Sequence, residues 1–232
     1  MNKLPIIVSI DGNIGSGKSS ILKYLENHFN NYCKSKNKNF KICFLQEPVS
    51  IWESITDNNN KTIIQKFYEN NEKYAFPFQM MAYISRLSIF KKTLNKQYDI
   101  IFTERSIYTD RNVFAKMLYN SNKINEIEYK IYNMWFDEFT DILNTLKTVY
   151  IKTKPDICDK RVKKRNREGE IITLDYLKDC NYYHEIWLNN INKNNILIIN
   201  GNEDTNTSLF IYNDYFNNIM ENIYNFISIN LE

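Results

Sequence analysis

The sequence lacks a large net charge, a long hydrophobic run and any cluster of cysteine or histidine. Its 30 basic and 27 acidic side chains leave a net charge of only +3, which does not favour nucleic-acid binding, because nucleic-acid-binding domains are usually strongly basic. No segment approaches the roughly 18 apolar residues that a membrane span needs. The apolar run that begins at Leu4 passes directly into a motif, which leaves no room for a cleavable signal or transit peptide. We therefore expect a cytoplasmic protein with no membrane or nucleic-acid partner.

The few cysteines and histidines are scattered along the chain. The cysteines are Cys33, Cys43, Cys158 and Cys180. They form no C-x-x-C pair and have no metal-ligand spacing, so reduced and partly buried thiols are expected. His28 and His184 are isolated from each other, so sequence neighbours cannot supply a histidine metal site or a catalytic triad.

Short apolar runs alternate with longer segments of helical periodicity. At 232 residues, with 43% hydrophobic and 25% charged residues, the chain has the size and composition of one globular domain. The predicted strands are 6–10, 41–45, 99–103, 148–152 and 196–200. The predicted helices are 19–33, 59–70, 75–96, 107–119, 125–146, 155–166, 173–191 and 207–229. This alternation predicts an α/β fold with a parallel sheet, helices on both faces and a ligand site at the carboxyl ends of the strands.

The loop after the first predicted strand matches a phosphate-binding motif. The stretch GNIGSGKSS, residues 12–20, fits G-x-x-x-x-G-K-[ST] between a strand and a helix. Its glycines let backbone N–H groups wrap a phosphate, and the helix N-terminus adds partial positive charge. Lys18 would reach the terminal phosphates of a nucleotide, and the Ser19 hydroxyl would contribute to a Mg²⁺ site. The expected nucleotide-binding residues are Gly12, Asn13, Ile14, Gly15, Ser16, Gly17, Lys18, Ser19 and Ser20.

Two further stretches indicate where a second substrate would bind. Glu47 stands at the end of the second predicted strand, where a carboxylate could accept a proton from an attacking hydroxyl or could simply belong to a strand-ending turn. Downstream, residues at helical spacings of three and four share one helix face. They are Phe78, Gln79, Ala82 and Arg86. Glutamine and arginine on an otherwise apolar face could read the edge of a nucleobase, or could reach solvent from the margin of a core helix.

The order of these motifs resembles that of the deoxynucleoside kinase family. The chain contains GNIGSGKSS, EPVSIW, FPFQ, SR, ERSIYTDR and RVKKRNREGE in that order, and the resemblance runs from about residue 6 to residue 190. It implies a P-loop kinase fold with a five-stranded parallel sheet flanked by helices, in a single domain over residues 1–232, with an arginine-rich lid at about 161–172. It also implies ATP as the phosphate donor, Mg²⁺ as the cofactor, a deoxynucleoside as the small-molecule substrate, and a homodimer formed through long helices.

The resemblance assigns catalytic roles to charged residues that follow two of the predicted strands. Glu47 matches the general base that takes the proton of the deoxyribose 5′-hydroxyl. Arg105 matches the arginine that steadies Glu47 and the transferring phosphate. Glu104 matches the carboxylate that helps Ser19 to hold Mg²⁺. With Lys18, these residues form the implied catalytic group.

The resemblance also implies a set of deoxynucleoside-binding residues. Gln79 matches the glutamine that makes paired hydrogen bonds to the base, and Tyr68 matches the tyrosine that holds the sugar 3′-hydroxyl. Arg86 and Asp110 match a pair that kinases of deoxycytidine and purine deoxynucleosides keep, whereas thymidine-preferring members tend to have small or apolar residues there. We therefore expect deoxycytidine or a purine deoxynucleoside to be preferred over thymidine. The full set is Glu47, Trp52, Tyr68, Phe78, Gln79, Ala82, Arg86, Arg105, Asp110 and Glu170.

The arginine cluster in RVKKRNREGE matches the lid that closes over the donor phosphates. The implied lid arginines are Arg161, Arg165 and Arg167. The segment that follows them is one residue shorter than the family pattern, so the lid glutamate that reaches the 3′-hydroxyl is either Glu170 or Glu168. The spacing from Arg165 favours Glu170.

Two other functions share a phosphate loop and this sheet. A nucleoside monophosphate kinase, for example a thymidylate kinase, needs positive charge where the acceptor phosphate lies, yet Glu47 holds that position. A non-catalytic structural subunit usually loses the catalytic lysine or carboxylates, yet Lys18 and Glu104 are present. Arg111 matches no functional position, and we expect it to lie on the surface or to stabilise a helix.

Overall fold

A sheet of five parallel strands forms the centre of the part of the chain that the structure describes. The structure is a computed structural model, and it describes residues 4–139, 146–167, 169–203 and 209–228. The strands are β1 Ile6–Asp11, β2 Ile42–Leu45, β3 Ile100–Glu104, β4 Leu146–Lys152 and β5 Ile196–Asn200. Their order is β2-β3-β1-β4-β5, and each neighbouring pair is parallel. The carboxyl ends of the strands therefore meet at one edge of the sheet.

Helices cover both faces of this sheet. They are α1 Lys18–Ser35, α2 Val49–Ser54, α3 Ile63–Glu69, α4 Asn71–Leu94, α5 Ile107–Thr109, α6 Lys116–Asn120, α7 Glu126–Phe139, α8 Pro155–Arg165, α9 Leu174–Asn189 and α10 Leu209–Ser228. A π-helix, Asp110–Ala115, lies between α5 and α6, and Lys193–Asn195 forms a 3₁₀ turn before β5. None of the described helices has both the length and the apolar character of a membrane span.

Successive side chains of β1 enter two separate cores, one on each face of the sheet. Ile10 packs with Phe29 of α1 and with apolar residues of α10. Ile7 packs on the opposite face with Tyr83 of α4 and Phe136 of α7. Because helices cover both faces, β1 is buried along its whole length. The sheet is thereby fixed rigidly enough to position the loops at its carboxyl edge.

The predicted parallel α/β fold is confirmed, and each predicted strand agrees with an observed strand to within two residues. The predicted helix 59–70 begins only at Ile63. The reason is a capping box: the Thr62 hydroxyl accepts a hydrogen bond from the Gln65 backbone N–H, and the Gln65 side chain accepts one from the Thr62 N–H. Local capping therefore decides where this helix starts.

Two other segments differ from the sequence prediction. The predicted helix 125–146 is wrong at Leu146, which begins β4 and pairs with Ile7 of β1, while residues 140–145 lie outside the described part of the chain. The short helix α2 was not predicted. Its only buried residue is Trp52, so it has too short an apolar pattern to show a helical period.

The charged segment after β3 contains a π-helix in place of the continuous helix predicted over 107–119. Arg111, within this π-helix, donates a hydrogen bond to Asp137 Oδ1 at 2.9 Å. Its guanidinium carbon lies 4.6 Å from the ring centroid of Phe136. Arg111 thus holds the π-helix against α7, whereas the preceding Asp110 is buried on the side of the cleft. π-Helical turns are frequent at functional sites.

Candidate active site

The phosphate loop follows β1 and leads into α1, as the motif predicts. Gly15 has a φ of +77°, and a Cβ there would lie 2.7 Å from the Cys158 carbonyl oxygen, so only glycine fits. Gly17 caps α1 in a left-handed conformation, with φ +101°. The loop is therefore closely packed against α8 and opens onto the N-terminus of α1, which favours an anion.

Lys18 is buried, and none of the carboxylates in the described ranges bonds directly to its charge. Its Nζ donates a hydrogen bond to the Asn13 carbonyl oxygen at 2.6 Å. Burial, and next Arg105, lower the pKa of Lys18 to about 7, although Glu104 and Glu47 oppose the shift. A bound phosphate would counter both lowering effects, because it would supply the missing negative charge.

Ser19 and Glu104 bring two oxygen ligands together at the mouth of this loop. The Ser19 hydroxyl donates a hydrogen bond to Glu104 Oε1 at 2.6 Å, which joins the start of α1 to the end of β3. Among the described residues, no group of three histidine, cysteine or acidic side chains could hold a metal alone. Two protein oxygens are nevertheless what Mg²⁺ requires where substrate phosphates and water complete its shell. The pair therefore fits Mg²⁺.

Glu47 lies at the carboxyl end of β2 between two arginines. Its Oε1 accepts a hydrogen bond from Arg86 Nη2 at 3.1 Å and lies 3.5 Å from Arg105 Nε. Burial would raise the pKa of Glu47, but Arg105, Arg86 and Lys18 together lower it below its ordinary value. The carboxylate is therefore ionised near neutral pH and able to accept a proton.

Arg86 connects Glu47 to the far end of the cleft. Its Nε donates to Asp110 Oδ2 at 2.9 Å, and its Nη1 donates to the Glu104 carbonyl oxygen at 2.7 Å. Burial would lower the pKa of Arg86, but Asp110 and Glu47 outweigh this effect and raise the pKa above its ordinary value. Burial raises the pKa of Asp110, and Arg86 partly offsets this effect. Arg86 thus stays charged and carries hydrogen bonds to both carboxylates.

Arg105 has an uncommon backbone conformation next to Glu47. Its φ is +63°, in the left-handed region that residues with a side chain seldom adopt. Its Nη1 donates to the Gly12 carbonyl oxygen at 2.7 Å, and its guanidinium carbon lies 5.0 Å from the ring centroid of Phe114. The side chain is buried and faces both the phosphate loop and Glu47.

Aromatic residues and a buried amide form the opposite end of the cleft. The Trp52 indole donates a hydrogen bond to the Ser85 hydroxyl at 2.9 Å. The Phe78 ring meets Trp52 edge to face, with centroids 5.8 Å apart, and stacks on Phe67 at 4.7 Å. Gln79 is buried, and its Oε1 has no hydrogen-bond partner among the described residues. An unpaired buried amide that lines a cleft indicates that a ligand completes its hydrogen bonds.

The lid after α8 lies against the helix that carries Tyr68. Arg165 forms an ion pair with Glu170, whereas Glu168 lies outside the described residues. Gly169, with φ +74°, approaches Gln65 of α3 so closely that a Cβ would overlap it. Burial, and next Glu170, raise the pKa of Tyr68, so its hydroxyl stays protonated and able to donate a hydrogen bond.

A single cleft of about 810 Å³ joins the phosphate loop to the aromatic end. It is lined by Lys18 and Ser19 at one end and by Gln79 and Asp110 at the other, with Glu47 between them. Most of the residues predicted from the sequence contribute to its wall. Those that line it are Ile14, Gly15, Ser16, Gly17, Lys18, Ser19, Ser20, Glu47, Trp52, Tyr68, Phe78, Gln79, Ala82, Arg86, Glu104, Arg105, Asp110, Arg161, Arg165, Arg167 and Glu170.

Comparison with known proteins agrees with this geometry. The family model of deoxynucleoside kinases matches residues 8–228. The chain belongs to the deoxynucleoside kinase family. Deoxycytidine kinase 2 of Gallus gallus is 32% identical over 218 residues, which cover 85% of this chain and 82% of that protein. Deoxycytidine kinase of Homo sapiens is 31% identical over 242 residues, with 95% and 90% covered, and that of Mus musculus is 32% identical over 193 residues, with 78% and 74% covered.

This deoxynucleoside kinase is therefore a phosphotransferase that acts on small-molecule nucleosides. The resemblance stated from the sequence motifs is confirmed. The two rival functions, a nucleoside monophosphate kinase and a non-catalytic subunit, are set aside, because the family is that of kinases with a nucleoside acceptor.

Three predicted residues of the kinase have structural contacts that the sequence did not indicate. Gly12 and Asn13 are not among the described residues that line the cleft; Asn13 is buried and donates to the Leu177 carbonyl oxygen at 2.8 Å. Arg161 donates from Nη1 to the carbonyl oxygens of Gly201, at 2.9 Å, and Ser16. It donates from Nη2 to the carbonyl oxygen of Glu203. The side-chain donors of Asn13 and Arg161 are thus hydrogen-bonded to backbone carbonyls. Through these bonds, Arg161 connects the phosphate loop to the end of β5.

Among the described residues, the sequence prediction missed five aromatic residues that line the kinase cleft. They are Phe67, Phe114, Tyr176, Tyr215 and Phe216. Phe114 could have been found, because it lies four residues after Asp110 in the same helical segment. Tyr176 stands at the start of α9, where no motif marks it.

Proposed function

We propose that this kinase transfers the γ-phosphate of ATP to the 5′-hydroxyl of a deoxynucleoside, with deoxycytidine or a purine deoxynucleoside preferred over thymidine. One observation carries the proposal: a single cleft has the phosphate loop at one end and Gln79 with the Arg86–Asp110 pair at the other. Glu47 lies between these ends. The arrangement suits a nucleotide donor and a nucleoside acceptor that meet at Glu47.

In the proposed reaction, Glu47 takes the proton of the 5′-hydroxyl as that oxygen attacks the γ-phosphorus. A bond forms between the 5′-oxygen and phosphorus, the bond from phosphorus to the β–γ bridging oxygen breaks, and the products are a deoxynucleoside monophosphate and ADP. Lys18, Arg105 and the lid arginines supply positive charge around the moving phosphate. Of these, Arg105 would act on both Glu47 and the phosphate; in support, its Nε lies 3.5 Å from Glu47 Oε1 and its Nη1 donates to the Gly12 carbonyl oxygen of the phosphate loop.

Ser19 and Glu104 would hold Mg²⁺. The ion supplies positive charge to the donor phosphates when bound. The hydrogen bond between Ser19 and Glu104 keeps both oxygens at the phosphate loop.

The sugar would be held between α3 and the lid. Tyr68 lies on α3 and Glu170 in the lid, and the charge of Glu170 acts on the Tyr68 hydroxyl. A 3′-hydroxyl between them would donate to the carboxylate and accept from the phenol. The lid therefore contacts both substrates, since Arg165 is bonded to the same Glu170.

The preference for the base follows from the chemistry of Asp110. A carboxylate only accepts hydrogen bonds, so Asp110 suits an exocyclic amino group, while Arg86 offers donors to a ring nitrogen or carbonyl. Thymine has a carbonyl and a methyl group at that edge and gives Asp110 no donor. Ala82 leaves room beside this pair, which is why purines are included.

We also propose that residues 1–232 form one kinase domain and that two chains associate through α4 and α7. Apolar residues project from these helices to the outside: Ile84 is 50% exposed, Ile127 71%, Met134 66% and Trp135 45%. Met134 and Trp135 lie seven and eight positions after Ile127 on α7, so the three residues share one face of the helix. An exposed face of this kind is expected to be covered by a partner.

The proposed activity is tested by ADP release with each of the four deoxynucleosides and with their monophosphates as acceptors. We expect turnover with deoxycytidine or a purine deoxynucleoside, weak turnover with thymidine, and none with monophosphates. Omission of Mg²⁺ should abolish the reaction. A wild-type enzyme that prefers thymidine would contradict the proposed base recognition, and one that phosphorylates only monophosphates would contradict the proposed acceptor.

A further inference from the structure

Three consecutive residues at the end of β1 hold the segment that follows β3. The Ile10 carbonyl oxygen accepts a hydrogen bond from the Arg105 backbone N–H at 3.1 Å, and the Gly12 carbonyl oxygen accepts one from Arg105 Nη1 at 2.7 Å. Between them, the Asp11 carboxylate accepts a hydrogen bond from the Thr109 hydroxyl. The end of β1 therefore holds Arg105 and the helical turn after it at the same time.

Asp11 is a carboxylate in a position where negative charge is unfavourable. Its side chain is fully buried beside the phosphate loop, and its Oδ2 has no hydrogen-bond partner among the described residues. It is not among the described residues that line the cleft. A buried anion near this loop opposes phosphate binding, so direct contact with a substrate does not account for it. The hydrogen bond that Asp11 accepts from Thr109 accounts for a carboxylate at this position.

Thr109 is linked in turn to Arg105 through a short helical turn. The Ser106 hydroxyl accepts a hydrogen bond from the Thr109 backbone N–H at 3.3 Å and so caps α5 directly after Arg105. Arg105 has the left-handed φ of +63°, a conformation that persists only where surrounding contacts impose it. If Thr109 were released from Asp11, the turn would be free to shift, and Arg105 could return to an ordinary backbone conformation.

We propose that Asp11 and Thr109 form a positioning pair that keeps the Arg105 guanidinium directed at Glu47 and at the transferring phosphate. The inference rests on the proposed role of Arg105 in phosphate transfer. Neither residue touches the reacting atoms; both act through Arg105. Loss of their hydrogen bond lowers turnover more than nucleoside affinity, because Asp110, which follows Thr109, remains bonded to Arg86, and both Gln79 and Arg86 lie on α4.

The test compares Thr109→Val, which removes the hydroxyl, with Thr109→Ser, which keeps it. We expect kcat to fall by at least about tenfold in T109V, with the KM for the best deoxynucleoside changed by no more than about threefold. T109S should restore kcat. The matched control is Thr93→Val, since Thr93 is also buried but its hydroxyl donates to Ile89 within α4. Thermal unfolding of each variant shows that it is folded in the assay.

A double-mutant cycle with Asp11→Ala shows whether the two residues act through one bond. D11A should also lower kcat, and the double variant D11A/T109V should be no slower than the slower single variant. Losses that multiply in the double variant would overturn the proposal, as would a kcat of T109V equal to that of T93V. Should T109V not fold at the assay temperature, Thr109→Ala is judged by the same criteria.

Arg105→Met separates this inference from the function on which it rests. An inactive R105M together with a normal T109V would overturn only the positioning pair. Near-normal turnover of R105M would overturn the role of Arg105 itself.

Discussion

Arg86 donates hydrogen bonds to three groups that have different proposed tasks. It contacts the Glu47 carboxylate, the Asp110 carboxylate and the backbone carbonyl of Glu104. Replacing Arg86 alone would leave the buried Asp110 carboxylate without its cation, at a cost of several kcal/mol, whereas the partly buried Glu47 would keep Arg105. The recognition of the base must therefore be tested with both partners of the pair changed together.

The double change Arg86→Met with Asp110→Ala should make thymidine a better substrate. It removes the acceptor that thymine cannot satisfy and opens space for the methyl group. We expect kcat/KM for thymidine relative to deoxycytidine to rise by at least about tenfold, equivalent to about 1.4 kcal/mol. The measurement is a competition assay with both nucleosides. An unchanged ratio would show that other residues select the base.

Glu47→Gln should reduce kcat by roughly 10²–10⁴-fold, the range usual for a lost general base, with little change in nucleoside affinity. Glutamine has nearly the same shape but cannot take the proton. Glu53→Gln, on the exposed side of α2, serves as the control and should keep normal turnover. Near-normal steady-state turnover of E47Q would rule Glu47 out as the base.

At the scale of elements, the sequence predicts strands and helices that have a repeating apolar pattern, but it misses local features of the backbone. Apolar runs revealed the five strands because buried parallel strands are continuously apolar. The π-helix was missed, since the wider turn of Asp110–Ala115 leaves no mark in residue type or spacing. The contacts of Arg161 could not be read from the lid motif either, because its partners are backbone carbonyls. Side-chain motifs name most of the site, while backbone partners emerge only from the fold.

The packing of α9 on β4 makes a specific prediction about acid stability. His184 of α9 is fully buried; its Nδ1 lies 2.7 Å from the Cys180 carbonyl oxygen and its ring stacks on Tyr150 of β4. Burial, and next Arg105, lower the pKa of His184 from 6.5 to about 3. Unfolding therefore takes up a proton below about pH 6.5, so the folded state loses stability as the pH falls from there to about 3.

From His184 alone, the free energy of unfolding should be about 2 kcal/mol lower at pH 5 than at pH 7. Urea unfolding at the two pH values measures this difference. In His184→Gln the difference should shrink by about that amount, whereas in His28→Gln, a change at an exposed histidine, it should persist. An equal pH dependence in H184Q and the wild type would contradict a buried neutral His184.

At the scale of the whole molecule, the proposed association of two chains depends on the outer face of α7. Light scattering after size exclusion should give the mass of a dimer for the wild type and of a monomer for Ile127→Glu with Met134→Glu, because charges on this face oppose burial. Ile186→Glu on α9, where Ile186 is 45% exposed, should leave the dimer intact. A monomeric wild type would contradict the proposed dimer.

The hydrogen bonds of Arg86 to two carboxylates also constrain how such a kinase could change its preferred base during evolution. Under the proposed base preference, a lineage that changes from amino-bearing bases to thymine loses both Arg86 and Asp110, and loss of Arg86 first leaves the buried Asp110 carboxylate without its cation. The intermediate that lacks only Arg86 is therefore expected to be poor with both kinds of base. Residues 86 and 110 are therefore expected to covary among related kinases, and ancestral changes of preferred base should appear as paired substitutions on one branch of the family tree.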